Sequence, residues 1–236
     1  MTTTFCKGWW IGKYSNSHEY TGDWNGIGMC PDCKKEFITE WTNKLIKPNQ
    51  VNMSLNNFKD NTKLISKIKT YVDNLINGDK PSLIMWSSRC GTGKTHIAVG
   101  IGKKYIESLN SRTIPVKMIT ESELMDKIRA TYGGNSDNTD SESSVINEIT
   151  SADLVIIDDV GKVTSSNMNF VRRIYFLIID RLYTMGKPII ITSNLGLIAL
   201  SEHIGEACVS RLYEMTKGNI IEFIGKDYRN NFKVEK

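Results

Sequence analysis

Short apolar runs alternate along most of this chain with stretches whose apolar residues recur every three or four positions. The runs are residues 82–86 (SLIMW), 116–120 (VKMIT), 154–159 (LVIIDD) and 187–194 (KPIIITSN). Runs of this length predict strands, and the last two are apolar enough to be covered on both faces. Residues 97–106 and 121–132 carry apolar side chains at helical spacing, the second through Leu124, Met125 and Ile128. Strand and helix in alternation predict a parallel sheet flanked by helices on both sides. Upstream, Leu64, Ile65, Ile68, Tyr71, Val72, Leu75 and Ile76 mark an amphipathic helix that stops at Asn77-Gly78. A shorter helix is expected from Glu36 to about Leu45, followed by a linker at Lys47-Pro48-Asn49-Gln50. The polar, acidic stretch 135–144 (NSDNTDSESS) has no periodicity and predicts a surface loop.

Composition narrows this picture only a little. The chain has 236 residues, 40% hydrophobic and 24% charged, enough for one sizeable domain and a small appendage. A net charge of +4 permits nucleic-acid binding without demanding it. No apolar stretch approaches a membrane span and the amino terminus lacks a signal-peptide core, so a cytoplasmic protein is expected. Five cysteines, an odd number, read as thiols or metal ligands before disulfides.

Chemistry concentrates at the ends of the strands. Between the run 82–86 and the helix that follows lies Ser88-Arg89-Cys90-Gly91-Thr92-Gly93-Lys94-Thr95-His96. Strand, glycine loop and helix is the context of a phosphate cradle, in which backbone amides and the helix N-terminus face an anion. Lys94 is placed to reach the β- and γ-phosphates of ATP and Thr95 to ligate magnesium; Ser88 stands where the motif usually has its first glycine. Asp158 and Asp159 end a buried strand, where open α/β sheets bind ligands. Asp158 is assigned to the magnesium and Asp159 to polarising the attacking water. Asn194 ends the next buried strand and is placed to orient that water or sense the γ-phosphate.

The first fifty residues show no sustained periodicity and need another source of order. Cys30-Pro31-Asp32-Cys33 has the form of a zinc knuckle, and Cys6 and His18 are the available further ligands for a closed, structural Cys3His site. The plain alternative is that Cys6 and His18 are ordinary residues of a tail.

With these segments in place the chain resembles the AAA+ ATPases, and more narrowly the helicase loaders of the DnaC and DnaI type. The resemblance runs from about Ile65 to Phe232 through YVDNLINGDKPSLIMWSSRCGTGKTHIA, SADLVIIDDVGKV, GKPIIITSN, IGEACVSRLYEM and KDYRNNF, the last two being the more discriminating. It implies an α/β P-loop NTPase fold with a three-layer parallel sheet and no C-terminal lid domain, since only twenty-five residues follow Arg211. It implies ATP hydrolysis with Mg2+ in a homo-oligomer, in which Arg211 of one subunit acts on the γ-phosphate held by the next. Asp159 stands where many AAA+ members have Glu, which points to slow hydrolysis.

The same resemblance implies a replicative helicase as partner and single-stranded DNA along the segment after the acidic pair, through Lys162, Phe170, Arg172 and Arg173. An ordinary amphipathic helix face has the same composition. The expected organisation is a Cys/His module over 1–48 with a candidate Zn2+ site, a linker and helix over 49–80, and the ATPase domain over 81–236. Two other functions stay open: a transposition ATPase of the IstB type that binds duplex DNA, and a non-hydrolysing adaptor stabilised by nucleotide.

Overall fold

Each of the four apolar runs is a strand of one parallel sheet, and a fifth strand joins them. The computed structural model describes residues 3–6, 18–21, 29–58, 62–109, 114–132, 141–163, 168–225 and 227–228. In chain order the elements begin with β1 (Thr3–Cys6) and β2 (His18–Thr21), an antiparallel pair. Then come α1 (Pro31–Leu45), a 3-10 turn at Pro48–Gln50, α2 (Thr62–Ile76), β3 (Leu83–Trp86) and α3 (Lys94–Ser108). β4 (Val116–Thr120), α4 (Glu121–Ala130), α5 (Glu142–Thr150) and β5 (Leu154–Val160) follow. The chain continues through α6 (Met168–Thr184), β6 (Ile189–Ser193), α7 (Leu197–Ile204), α8 (Glu206–Thr216) and β7 (Ile220–Glu222). The sheet order is β4-β5-β6-β3-β7, with every pairing parallel.

Alternation along the strands divides the core in two. Leu83, Met85, Leu154, Ile156 and Ile190 pack on one face with α1, α2 and α3. Ile84, Val155, Ile157, Ile189 and Ile191 pack on the other with α4 to α8. All of these strand residues are fully buried, which is why their runs lack the polar alternation of a one-sided sheet.

Helix starts show where local signals acted. Thr120 caps α4 by accepting the Glu123 amide at 3.3 Å, and the Glu123 carboxylate accepts the Thr120 amide at 3.0 Å. Helix α1 begins five residues before the expected Glu36, with Cys30 as N-cap and Pro31 in the first turn. Its buried face, Phe37, Trp41 and Leu45, belongs to the same core as the sheet, and Leu45 lies against Gly102 of α3. The loop expected over 135–144 gives way to helix, because Ser141 caps α5 by accepting the Ser144 amide at 3.1 Å; its residues up to 140 lie outside the described residues. Among the described residues no helix is long and apolar enough to cross a membrane.

Candidate functional site

The site grows from the turn between β3 and α3. Gly91 and Gly93 both have positive φ, +71° and +94°, the conformation that lets the loop curl and that a side chain would strain. Ser88 is not among the residues with positive φ, so its β-carbon is accommodated where the motif's first glycine would stand. Residues 90–96 line a cleft of about 150 Å³ together with Asp159, Lys162, Asn194, Met53 and Tyr228. Ser88 and Arg89, also expected to contact nucleotide, are exposed and lie outside that lining.

Three strand ends converge beneath the loop. The buried Lys94 ammonium donates to Asn194 Oδ1 at 2.8 Å, joining the start of α3 to the end of β6. Thr95 Oγ1 donates to the Asp158 carboxylate, 3.0 Å from Oδ1 and 3.1 Å from Oδ2. Thr192 Oγ1 donates to Asp158 Oδ1 at 2.6 Å and accepts the Asp159 amide at 2.9 Å. Burial pushes the Asp158 carboxyl above its ordinary range; Thr192 and Thr95 oppose that, while the Asp159 charge adds to it. A buried carboxylate beside a hydroxyl, both hard oxygen donors, fits a magnesium ion, whose charge would offset the cost of burial.

Asp159 sits at a break in the β5–β6 register between Ile157 and Val160, with φ +60°. That left-handed conformation is tolerated by Asp better than by most side chains, a backbone reason for the shorter acid at this position. Its carboxylate meets Lys162 at 2.7 Å on the open side of the cleft.

Behind the cleft lies a buried polar centre that no sequence motif marks. Glu121, the first residue of α4, is fully buried. Its Oε2 accepts the amides of Gly161 and Val163 at 2.9 Å each, and its Oε1 accepts from Tyr175 at 2.9 Å and meets His203 Nε2 at 2.7 Å. One carboxylate thus fixes the loop after the acidic pair to α6 and α7. On the opposite side, His96 Nε2 lies 2.8 Å from Ser54 O and 2.9 Å from Asn57 Oδ1. The Ser54 amide also approaches this nitrogen, at 3.3 Å, so the ring ties residues 54–57 to the first turn of α3.

The remaining sequence candidates lie away from the cleft. Arg211 is on α8, outside the cleft's lining; it pairs with Asp180 of α6 at 3.1 Å and lies over the Phe176 ring at 5.1 Å. Arg172 donates to Glu202 O at 2.6 Å, and Arg173 makes a two-pronged pair with Glu142 and also bonds Tyr132 at 2.8 Å. Phe170 stands edge-on to Tyr132. Of the four residues assigned to DNA, Lys162 alone borders the cleft.

For the zinc candidates, Cys30 and Cys33 are buried, and the Cys33 amide points at Cys30 Sγ at 3.5 Å. The backbone register pairs Cys6 with His18 across β1 and β2; their side chains lie outside the described residues.

Thr192, Glu121, Met53 and Tyr228 were not anticipated. Thr192 and Glu121 had a weak signal, a polar residue closing a buried strand or opening a helix. Met53 and Tyr228 reach the cleft from positions far along the chain, for which no local pattern exists.

Comparison with known proteins agrees with this geometry. The replicative helicase loader DnaC of Buchnera aphidicola subsp. Baizongia pistaciae is 31% identical over 150 residues, 64% of this chain and 57% of that protein. The replicative helicase loader DnaC of Escherichia coli K12 is 28% identical over 171 residues, 71% of this chain and 65% of that protein. This chain therefore spans under two thirds of the length of either relative.

A crystal structure of the DnaC helicase loader superposes with TM-score 0.61 at 22% identity, covering 76% of this chain and all of that one. AMPPCP-bound DnaA from Aquifex aeolicus gives 0.57 at 21%, covering 73% of this chain and 50% of that one. Both share the fold of this chain, a parallel sheet flanked by helices. A family model described as IstB-like ATP binding protein matches residues 57–234, a span that holds every residue lining the cleft except Met53, and the chain belongs to that family.

Proposed function

We propose that this chain is an ATP-driven loader of a replicative helicase, active as an oligomer. The observation that carries the reading is the division of charge in the structure. Lys94, Thr95, Asp158 and Asn194 meet under the phosphate loop, whereas Arg211 points to the α6 side of the same subunit. Among the described residues the cleft is lined by an ammonium and a metal-binding pair but no guanidinium, and we assign that missing charge to a neighbouring subunit.

Within one subunit the roles follow from the contacts. Lys94 draws the phosphates toward the α3 N-terminus while Asn194 holds its ammonium in place. Thr95 and Asp158 supply the oxygen ligands, which Thr192 orients. Asp159, on the open side, is placed to accept a proton from water as it attacks. Magnesium bound there would neutralise charge on the β- and γ-phosphates. Arg211 of the next subunit would leave Asp180 to meet the γ-phosphate, so ATP favours assembly and hydrolysis releases it.

Single-stranded DNA is assigned to the loop at Lys162. Arg172 and Arg173 serve there only by giving up their contacts with Glu202 and Glu142. Zinc, held by Cys30, Cys33, Cys6 and His18, would order the amino-terminal strands against α1. The buried thiols and the β1–β2 register support that assignment.

The test is phosphate release and nucleotide affinity for wild type, Arg211→Ala and Lys94→Ala, with co-purification of a replicative helicase in ATP and in ADP. Arg211→Ala should abolish DNA-stimulated turnover and keep nucleotide affinity, while Lys94→Ala loses both. Loss of affinity in Arg211→Ala refutes the action in trans. A preference for duplex over single-stranded DNA at matched salt would favour a transposition ATPase. Wild type with no turnover would leave the non-hydrolysing adaptor, whereas turnover abolished by Lys94→Ala rules it out.

A further inference from the structure

Past β7, which runs parallel to β3, the chain continues to the phosphate loop. The Phe223 amide donates to Trp86 O at 2.8 Å and Ser87 Oγ donates to Phe223 O at 2.7 Å, pinning the segment to the end of β3. The Tyr228 amide then donates to Gly91 O at 3.0 Å. The Asp227 carboxylate lies so close to the Gly91 α-carbon that a β-carbon there would overlap it. The Tyr228 ring stands edge-on to Phe58, with centroids 6.2 Å apart at 63°, and the Phe58 ring packs against Gly93 and tilts over His96 at 5.4 Å. Residues 227–228 are thus a strap anchored by backbone to one loop glycine and by an aromatic contact to a ring lying on the other.

The strap changes what the cleft can recognise. Lys94, Thr95, Asp159 and Asn194 can read phosphate and metal but offer nothing to a heteroaromatic base. Met53 and Tyr228 line the same cleft with apolar and aromatic surface, and Tyr228 remains 46% exposed. Resting on the nucleotide reading above, we propose that Tyr228 is a specificity-determining residue that packs its ring on the nucleoside. Nucleotide occupancy is thereby reported to the C-terminal strap. Aromatic packing of this kind tolerates different bases, because every base has a π-face, while demanding that a base be present.

Affinities of the full chain for Mg-ATP and for inorganic tripolyphosphate separate the two ends of the cleft. Tyr228→Ala should weaken ATP by about fivefold to a hundredfold and leave tripolyphosphate within about twofold. Tyr228→Phe, which keeps the ring, should bind ATP like wild type. All three proteins retain the backbone bond to Gly91. Unchanged ATP affinity in Tyr228→Ala overturns the proposal, as does an equal loss for ATP and tripolyphosphate. Wild type that binds tripolyphosphate no more weakly than ATP also overturns it. Wild type that binds neither refutes the nucleotide reading itself, and the inference falls with it.

Discussion

Glu121 offers a measurable test of how the cleft is held. Burial alone would raise its carboxyl, but the hydrogen bonds from His203 and Val163, the His203 charge and the Tyr175 hydroxyl together hold it below 4.5. Glu121→Ala would strand two backbone amides, a tyrosine hydroxyl and a histidine in a dry interior. Leaving a buried polar group unpaired costs about 1–3 kcal/mol, and each kcal/mol is worth about 2–4 °C in a chain of this size, so stranding two of these groups should lower Tm by about 4–24 °C. Glu121→Gln keeps an acceptor for the two amides but turns the oxygen facing Tyr175 and His203 into an NH2 donor and removes the charge, about 1.5–3 kcal/mol or about 3–12 °C. A depressed carboxyl stabilises the fold above its unfolded value and loses that contribution as pH falls through the folded value. The gap between wild type and Glu121→Gln should be full near pH 7 and should close below pH 4.5. Thermal melts across that range are the assay. A gap under about 2 °C at pH 7, or one that persists unchanged into acid, refutes the assignment of Glu121 as a charged anchor.

Asp158 carries the opposite sign. Its folded pKa is raised, so the ionised form costs stability above the unfolded value of 3.8. Asp158→Asn should therefore melt higher than wild type at pH 7 without metal and turn over no ATP, and a lower metal-free Tm would contradict the burial argument. Asp180→Ala releases Arg211 from an exposed pair worth about 0–1 kcal/mol, so Tm should barely move while ATP-dependent assembly strengthens up to about fivefold in sedimentation; weaker assembly would show that Asp180 helps the interface. Purified full chain should carry about one zinc per subunit by elemental analysis, and Cys30→Ser should lower that content; metal-free wild type would remove zinc from the amino-terminal strands.

The sheet was legible because each central strand is buried on both faces, so Leu154 to Ile157 and Ile189 to Ile191 appear as unbroken apolar runs. Sequence could not show β7, three residues whose strand character comes from pairing with β3. Helix α5 was hidden because its first residues, Glu142 and Ser143, continue an acidic polar stretch, and only Ser141 marks the start as an N-cap. Pro31, in the first turn of α1, is a helix-start residue that the zinc-knuckle reading of Cys30-Pro31-Asp32-Cys33 left unused. In the site, motif residues that touch each other through a strand end, Lys94, Thr95, Asp158 and Asn194, were all visible. Glu121 and Thr192 act by orienting those groups, and Met53 and Tyr228 arrive by long loops. Their roles depend on tertiary neighbours that spacing along the chain does not encode.

The sheet order also sets a schedule for synthesis on the ribosome. Strand β3, which feeds the phosphate loop, sits between β6 and β7, which emerge more than a hundred residues later. The loop's own anchors, Phe223 on Trp86 and Tyr228 on Gly91, come later still. Meanwhile α1, made early, packs among the described elements mainly on α3 and β4, which come later. Nascent chains should thus carry a half-formed, nucleotide-blind phosphate loop through most of elongation, a long exposure during which chaperones and neighbouring nascent subunits can bind.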